Sequence, residues 1–160
     1  MEKLDPFRMT REETTEVIKE ASGCTVTWCR RDGHPAGAYV QSVMLDGEIY
    51  VTSTSDRGKN VAWRRDPRTT LVFEVPMKGG VTVLGRVIFE NDTALKRRVL
   101  NAMADGVGVQ GEMRERYLSH LNTASREVIR IVPEKYVTLH TGRTFAAMVA
   151  EENKSSGGSA

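Results

Sequence analysis

Apolar positions along the chain change period several times, and the changes mark out the elements. Residues 10–21 carry Val17, Ile18 and Ala21 at helical spacing, a narrow stripe that predicts an amphipathic helix. Thr10-Arg11-Glu12-Glu13 fits a capping box at its start, with Thr10 as N-cap and Glu13 reaching back, and Ser22-Gly23 ends it. The period then drops to two. Residues 24–30 predict a strand with Val26 and Trp28 on one face, and Arg31-Asp32-Gly33-His34-Pro35 a turn. Residues 36–45 predict a second strand, Asp46-Gly47 a hairpin turn and residues 48–53 a third strand. Two Asp-Gly turns between β-prone runs imply an antiparallel meander.

A short helix follows, capped by Ser55 or Asp56, running through Arg65 and stopped by Pro67. Residues 69–75 form a fourth strand, and Lys78-Gly79-Gly80 turns the chain. The fifth strand, residues 81–90, has Val81, Val83, Gly85, Val87 and Phe89 on one face. Gly85 inside it marks a bulge or a close backbone approach. Asp92 caps a helix with the stripe Leu95, Val99, Ala102 and Met103, which Gly106-Val107-Gly108 breaks. Residues 112–121 predict another helix, with Met113, Tyr117, Leu118 and Leu121 inward. Residues 127–132 form the sixth strand; Pro133 interrupts it and residues 136–140 resume the extended path. Residues 151–160 are too polar to pack and predict a disordered tail. The fold class is therefore mainly β: a six-stranded antiparallel barrel with peripheral helices, residues 1–150 forming one domain.

Composition narrows the class. The 160 residues are 39% hydrophobic and 28% charged, an ordinary globular mix. Mean hydropathy is −0.39, and no apolar run approaches the roughly 20 residues needed to span a bilayer. Residues 1–11 are charged and lack an apolar core, so no secretory leader and a cytoplasmic location are expected. A net charge of +2 is too small to argue for nucleic acid. The Cys24 and Cys29 spacing fits neither a zinc pair nor a redox pair, and His34, His120 and His140 are scattered, so no metal site is expected.

The most informative segment is Thr52-Ser53-Thr54-Ser55-Asp56-Arg57-Gly58-Lys59. Hydroxyls end a strand, a basic turn follows, and a helix begins. Hydroxyls, free helix N–H groups, a guanidinium and an ammonium all suit a phosphate. The plainer reading is a helix cap with solvated cations. Arg64, Arg65 and Arg68 either complement the C-terminus of that helix and pair with Asp66, or reach an anionic ligand tail. On the second strand, Tyr39, Val40, Gln41 and Ser42 offer a surface for a flat ring, Tyr39 and Gln41 sharing one face, or they form an ordinary half-buried strand. No nucleophile–base pair and no paired carboxylates are legible, so no catalytic side chain is assigned. That suits chemistry carried by a cofactor.

Asp32-Gly33-His34-Pro35, then Asp46-Gly47-Glu48-Ile49-Tyr50-Val51-Thr52-Ser53, Arg57-x-Lys59-Asn60 and Arg64-Arg65-Asp66-Pro67-Arg68 together resemble the pyridoxamine-phosphate-oxidase-like split-barrel family. Val81 through Asp92 is similar to a later strand of that family, and Val128 through Pro133 to its closing strand. The likeness is nearest to its flavin and deazaflavin oxidoreductases. It implies an FMN-binding type of split barrel and a homodimer with cofactor sites at the interface. FMN or coenzyme F420 is the implied cofactor, with hydride transfer to or from a small organic substrate. A non-catalytic flavin-, F420- or haem-binding protein of the same fold is the alternative. Carried over, Ser53, Arg57 and Lys59 match the phosphate positions and Thr52 and Thr54 flank them. Residues 38–42 match the strand beside the ring, Arg64 would serve an anionic tail, and residues 140–143 of a partner chain would complete the pocket. The substrate-binding arginine and histidine of pyridoxamine phosphate oxidase itself have no recognisable counterpart near the C-terminus.

Overall fold

The computed structural model describes residues 5–156. Helix α1 (Arg11–Glu20) is followed by strands β1 (Gly23–Cys29), β2 (Pro35–Leu45) and β3 (Glu48–Thr54), helix α2 (Gly58–Arg65), and strands β4 (Arg68–Val75) and β5 (Gly79–Glu90). Helices α3 (Thr93–Val107) and α4 (Gly111–Leu121), strand β6 (Arg126–Leu139) and helix α5 (Thr141–Ser156) complete the order. The strands close a six-stranded antiparallel barrel in the order β1-β2-β3-β6-β5-β4. Among the described residues, no helix is long and apolar enough to cross a membrane.

Local chemistry explains the frame. Thr10 and Glu13 make the reciprocal capping box at α1. At the β2–β3 hairpin, Asp46 (φ 53°) and Gly47 (φ 81°) both adopt the left-handed conformation. That is the two-residue turn whose twist matches the flanking strands. Asp92 caps α3 through the N–H groups of Ala94 and Leu95, and Gly108 (φ 76°) closes it. Alternation buries Val81, Val83, Gly85 and Val87 of β5, and the barrel interior fills with Val26, Leu71, Phe73, Ile129 and Ile131. A second core lies outside the barrel, where Val99, Leu100 and Met103 of α3 meet Tyr50 and Val128.

Gly85 sits at a register shift in the β5–β6 ladder, opposite Pro133. A Cβ there would lie 2.3 Å from the Val132 carbonyl oxygen, which is backbone and cannot swing away. The bulge absorbs the missing N–H of Pro133, so β6 runs unbroken rather than stopping there. Gly85→Ala is therefore expected to cost about 1–3 kcal/mol of stability through forced backbone shifts. Urea unfolding checks this; an unchanged midpoint would show that the bulge yields freely.

Three other expectations are corrected. Helix α2 begins at Gly58, with Arg57 in the N-cap position and no capping side chain, so neither Ser55 nor Asp56 caps it. Met113 of α4 is exposed rather than inward, and no residue of α4 is fully buried. Residues 151–156 continue α5 instead of forming a disordered tail; residues 157–160 lie outside the described ones.

Candidate cofactor site

The barrel wall opens between β2 and β3. Strands β2 and β3 pair only from Ser42↔Val51 to Leu45↔Glu48. Beyond Ser42, β2 stays with β1 (Gly23↔Gln41, Cys24↔Val40), whereas beyond Val51, β3 stays with β6 (Thr52↔Val128 to Thr54↔Arg126). The two strands part, and on each lip alternate backbone N–H and C=O groups lose a strand partner. The gap is a cleft of about 320 Å³. Val40 and Gln41 form one lip and Thr52, Ser53 and Thr54 the other; Arg57, Lys59 and Arg126 stand at one end, and Met103 and Leu121 supply an apolar wall.

Its electrostatics are one-sided. Among the described residues no carboxylate lines the cleft, and Arg57, Lys59 and Arg126 make no ion pair. Burial, then the neighbouring Arg57 and Arg126, hold the Lys59 ammonium below the usual lysine value of 10.5. Burial and then Arg57 likewise lower Arg126. The uncapped start of α2 adds N–H groups with no intrahelical partner to the same end. Asp56, the anion of this turn, does not line the cleft. The Thr54 hydroxyl first, then its own backbone N–H and Arg57, hold its carboxyl below the usual range.

The wall is tied down by hydrogen bonds. Gln41 Nε2 donates to the Met103 carbonyl at 2.8 Å, and the Tyr117 hydroxyl donates to Gln41 Oε1. The Thr52 hydroxyl points at Met103 Sδ at 3.8 Å, and Arg126 Nε donates to the Leu121 carbonyl at 3.1 Å. Backbone pairing between Ser55 N–H and the Ser125 carbonyl, 2.8 Å, locks the basic turn to the start of β6.

Seven of the residues singled out from sequence meet here: Val40, Gln41, Thr52, Ser53, Thr54, Arg57 and Lys59. Three do not. Tyr39 is 67% exposed and covers Gly23, its hydroxyl 3.4 Å from Ser22 Oγ. Ser42 is buried beside Cys24, whose thiol burial pushes up to about 12. Arg64 pairs with Glu127 and lies 4.3 Å over the Phe89 ring, so it is spent within the fold. Arg65 and Arg68 are engaged too, on the Cys29 carbonyl and on Asp66. His140 and Arg143 are also outside the cleft and face Glu13 of their own chain. Met103 and Leu121, expected from sequence as helix core, and Arg126, which carries no motif, were not expected in the site. The one available signal for Arg126 is its position opposite Thr54, which needs the β3–β6 register.

Comparison with known proteins follows the fold. The family model described as pyridoxamine 5'-phosphate oxidase matches residues 10–140. A conserved hypothetical protein from Mycobacterium tuberculosis superposes with a TM-score of 0.76 at 20% identity, covering 88% of this chain and 91% of that one. A FAD-binding protein from Mesorhizobium loti gives 0.62 at 17% identity over 81% and 94%. A structure described as an F420 reductase gives 0.61 at 17% identity over 81% and 98%. No curated protein sequence matches the chain.

Proposed function

We propose, from the premise that this chain belongs to the pyridoxamine 5'-phosphate oxidase family, that it is a homodimeric oxidoreductase holding a phosphorylated flavin-type cofactor in the β2–β3 split. The observation that carries the reading is the cluster of Arg57, Lys59 and Arg126. Three cations face one cleft without an acid among its lining residues, beside the free N–H groups of α2. An unpaired cation cluster is costly, and a phosphate offsets that cost. Arg57, Lys59 and Arg126 would hold the phosphate, with the hydroxyls of Thr52 and Thr54 and the Ser53 position around it. The parted backbone at Val40 and Gln41 would lie along the ring. Bound there, FMN or coenzyme F420 supplies hydride transfer to or from a small organic substrate. The chain's own part is to grip the phosphate, present strand backbone to the ring and exclude water with Met103 and Leu121.

Size favours a second copy. A cleft of about 320 Å³ is at the low end of small-molecule sites, about 300–1,000 Å³, so a tricyclic ring needs further covering surface. The exposed Leu84, Ile88, Tyr136 and Val137 of the barrel and Phe145 and Met148 of α5 offer apolar area for a partner. The likeness to a FAD-binding protein and to an F420 reductase agrees with a flavin-type ligand.

The test is a fluorescence titration of the apo-protein with FMN and, separately, with F420. Micromolar or tighter binding of one and not the other is the expected result and identifies the cofactor. Binding of neither overturns the flavin reading and moves the choice to haem or a non-catalytic role.

A further inference from the structure

A larger cleft lies between α3 and α4, outside the β2–β3 split. Its volume is about 770 Å³, more than twice that of the split. Its floor is apolar, formed by Leu100, 2% exposed, and Leu118. Its rim carries Lys96, Arg97, Ser119 and Asn122, and among the described residues no carboxylate lines it. Lys96 is spent on the Thr123 carbonyl at 2.9 Å. Arg97 makes no ion pair among the described residues, unlike its neighbour Arg98, which pairs with Asp46. Among the described residues, the Arg97 side chain at this rim thus has no ion-pair partner beside the apolar floor.

The second wall is lightly held. No residue of α4 is fully buried, and its start carries no capping side chain. Gly108, which closes α3, and Gly111, the first residue of α4, are both at positive φ. Arg114 ties α4 to Asp105 and Asn101, and Tyr117 ties it to Gln41. The half-buried Tyr117, Leu118 and Leu121 add apolar contacts to the second core, but a helix with no fully buried residue can still adjust to a guest.

We propose that this groove is a second binding site, for a free amphipathic organic anion: an aliphatic or aromatic body between Leu100 and Leu118, with its carboxylate on Arg97. The occupant is anionic because the rim is basic and lacks acids. It is a small molecule because the volume is that of a drug-sized ligand. The site stands apart from the cofactor reading, since none of its lining residues lines the split.

Calorimetric titration of the full chain with decanoate, and with decanol as the neutral control, tests it. Saturable one-to-one binding of decanoate is expected, with decanol weaker. Arg97→Ala should weaken decanoate about tenfold or more, the usual worth of a charge-assisted bond. Ser119→Trp, an exposed position that fills the groove, should abolish binding, and Lys59→Ala should leave it unchanged. Absence of saturable binding overturns the proposal. So does binding that survives Arg97→Ala or Ser119→Trp unchanged, and so does loss in Lys59→Ala, which would put the anion in the split instead.

Discussion

Replacing Lys59 with alanine is expected to weaken cofactor binding by about 1.5–3 kcal/mol, roughly tenfold to a hundredfold, because a charge-assisted hydrogen bond is lost from a half-buried site. The removed ammonium is flanked by Arg57 and Arg126, so the loss also relieves repulsion in the empty site. The variant should therefore be at least as stable as the parent without ligand, yet bind less tightly. Titration of both proteins with the cofactor, alongside urea unfolding, reads the two effects separately. The pH dependence has a definite sign. Lys59 is held below 10.5 in the folded chain, so the unfolded chain binds more protons there. Its unfavourable contribution to ligand-free stability is present below the folded value and disappears as pH rises toward 10.5. Phosphate binding favours the charged form, so affinity should fall at lower pH than a solvated lysine would dictate. Arg126→Ala should weaken the same ligand in the same direction. Full cofactor affinity in both Lys59→Ala and Arg126→Ala would remove the phosphate assignment.

Local signals made much of this fold legible. Asp46-Gly47 specifies its hairpin because both turn residues must take positive φ, and Gly85 announces a close approach because nothing larger than hydrogen fits under Val132. The basic turn after Thr54 is legible for the same reason: hydroxyls, cations and a helix start lie within eight residues. What failed depends on partners distant in sequence. Alternation along β2 says that Tyr39 and Gln41 point one way and Val40 and Ser42 the other. It does not say that β3 leaves β2 beyond Val51, which admits Val40 to the cleft while Ser42 stays inside. Arg64 reads as complementing its helix end beside Asp66 or as reaching a ligand tail until Glu127 is brought to it by the β3–β6 pairing, in which Ser53 faces Glu127. Arg126 carries no motif and gains meaning through that same pairing. The continuation of α5 past Glu151 was hidden by polar composition. Residues 141–156 include Phe145, Met148 and Val149 at helical spacing, but these remain exposed, so burial does not mark the helix.

Trp63→Ala is expected to cost about 3–5 kcal/mol, a large share of the roughly 5–15 kcal/mol that holds a domain together. Trp63 is 1% exposed and anchors α2 against the barrel, its ring edge-on to Trp28 with centroids 6.4 Å apart. It also closes a second seam. Strands β1 and β4 pair only at Thr25↔Val72 and Val26↔Leu71. Beyond them no β4 residue pairs with Thr27, whose carbonyl accepts from Trp63 Nε1–H at 3.1 Å and the Thr69 hydroxyl at 2.9 Å. Alanine leaves a cavity and takes one of those donors. Trp63→Phe keeps most of the volume and loses the N–H, so it should cost about 1 kcal/mol for the bond plus a modest packing loss. Because α2 carries Lys59 at its start, loosening its anchor should also blur the anion site. Trp63→Ala should weaken cofactor binding more than Trp63→Phe does, although neither change touches the cleft. Urea midpoints give the stability order, and the cofactor titration gives the coupling. A Trp63→Ala protein within 1 kcal/mol of the parent would mean that α2 is held by something other than this ring. A destabilised one with undiminished affinity would mean that the basic turn is fixed by its own backbone bond to Ser125.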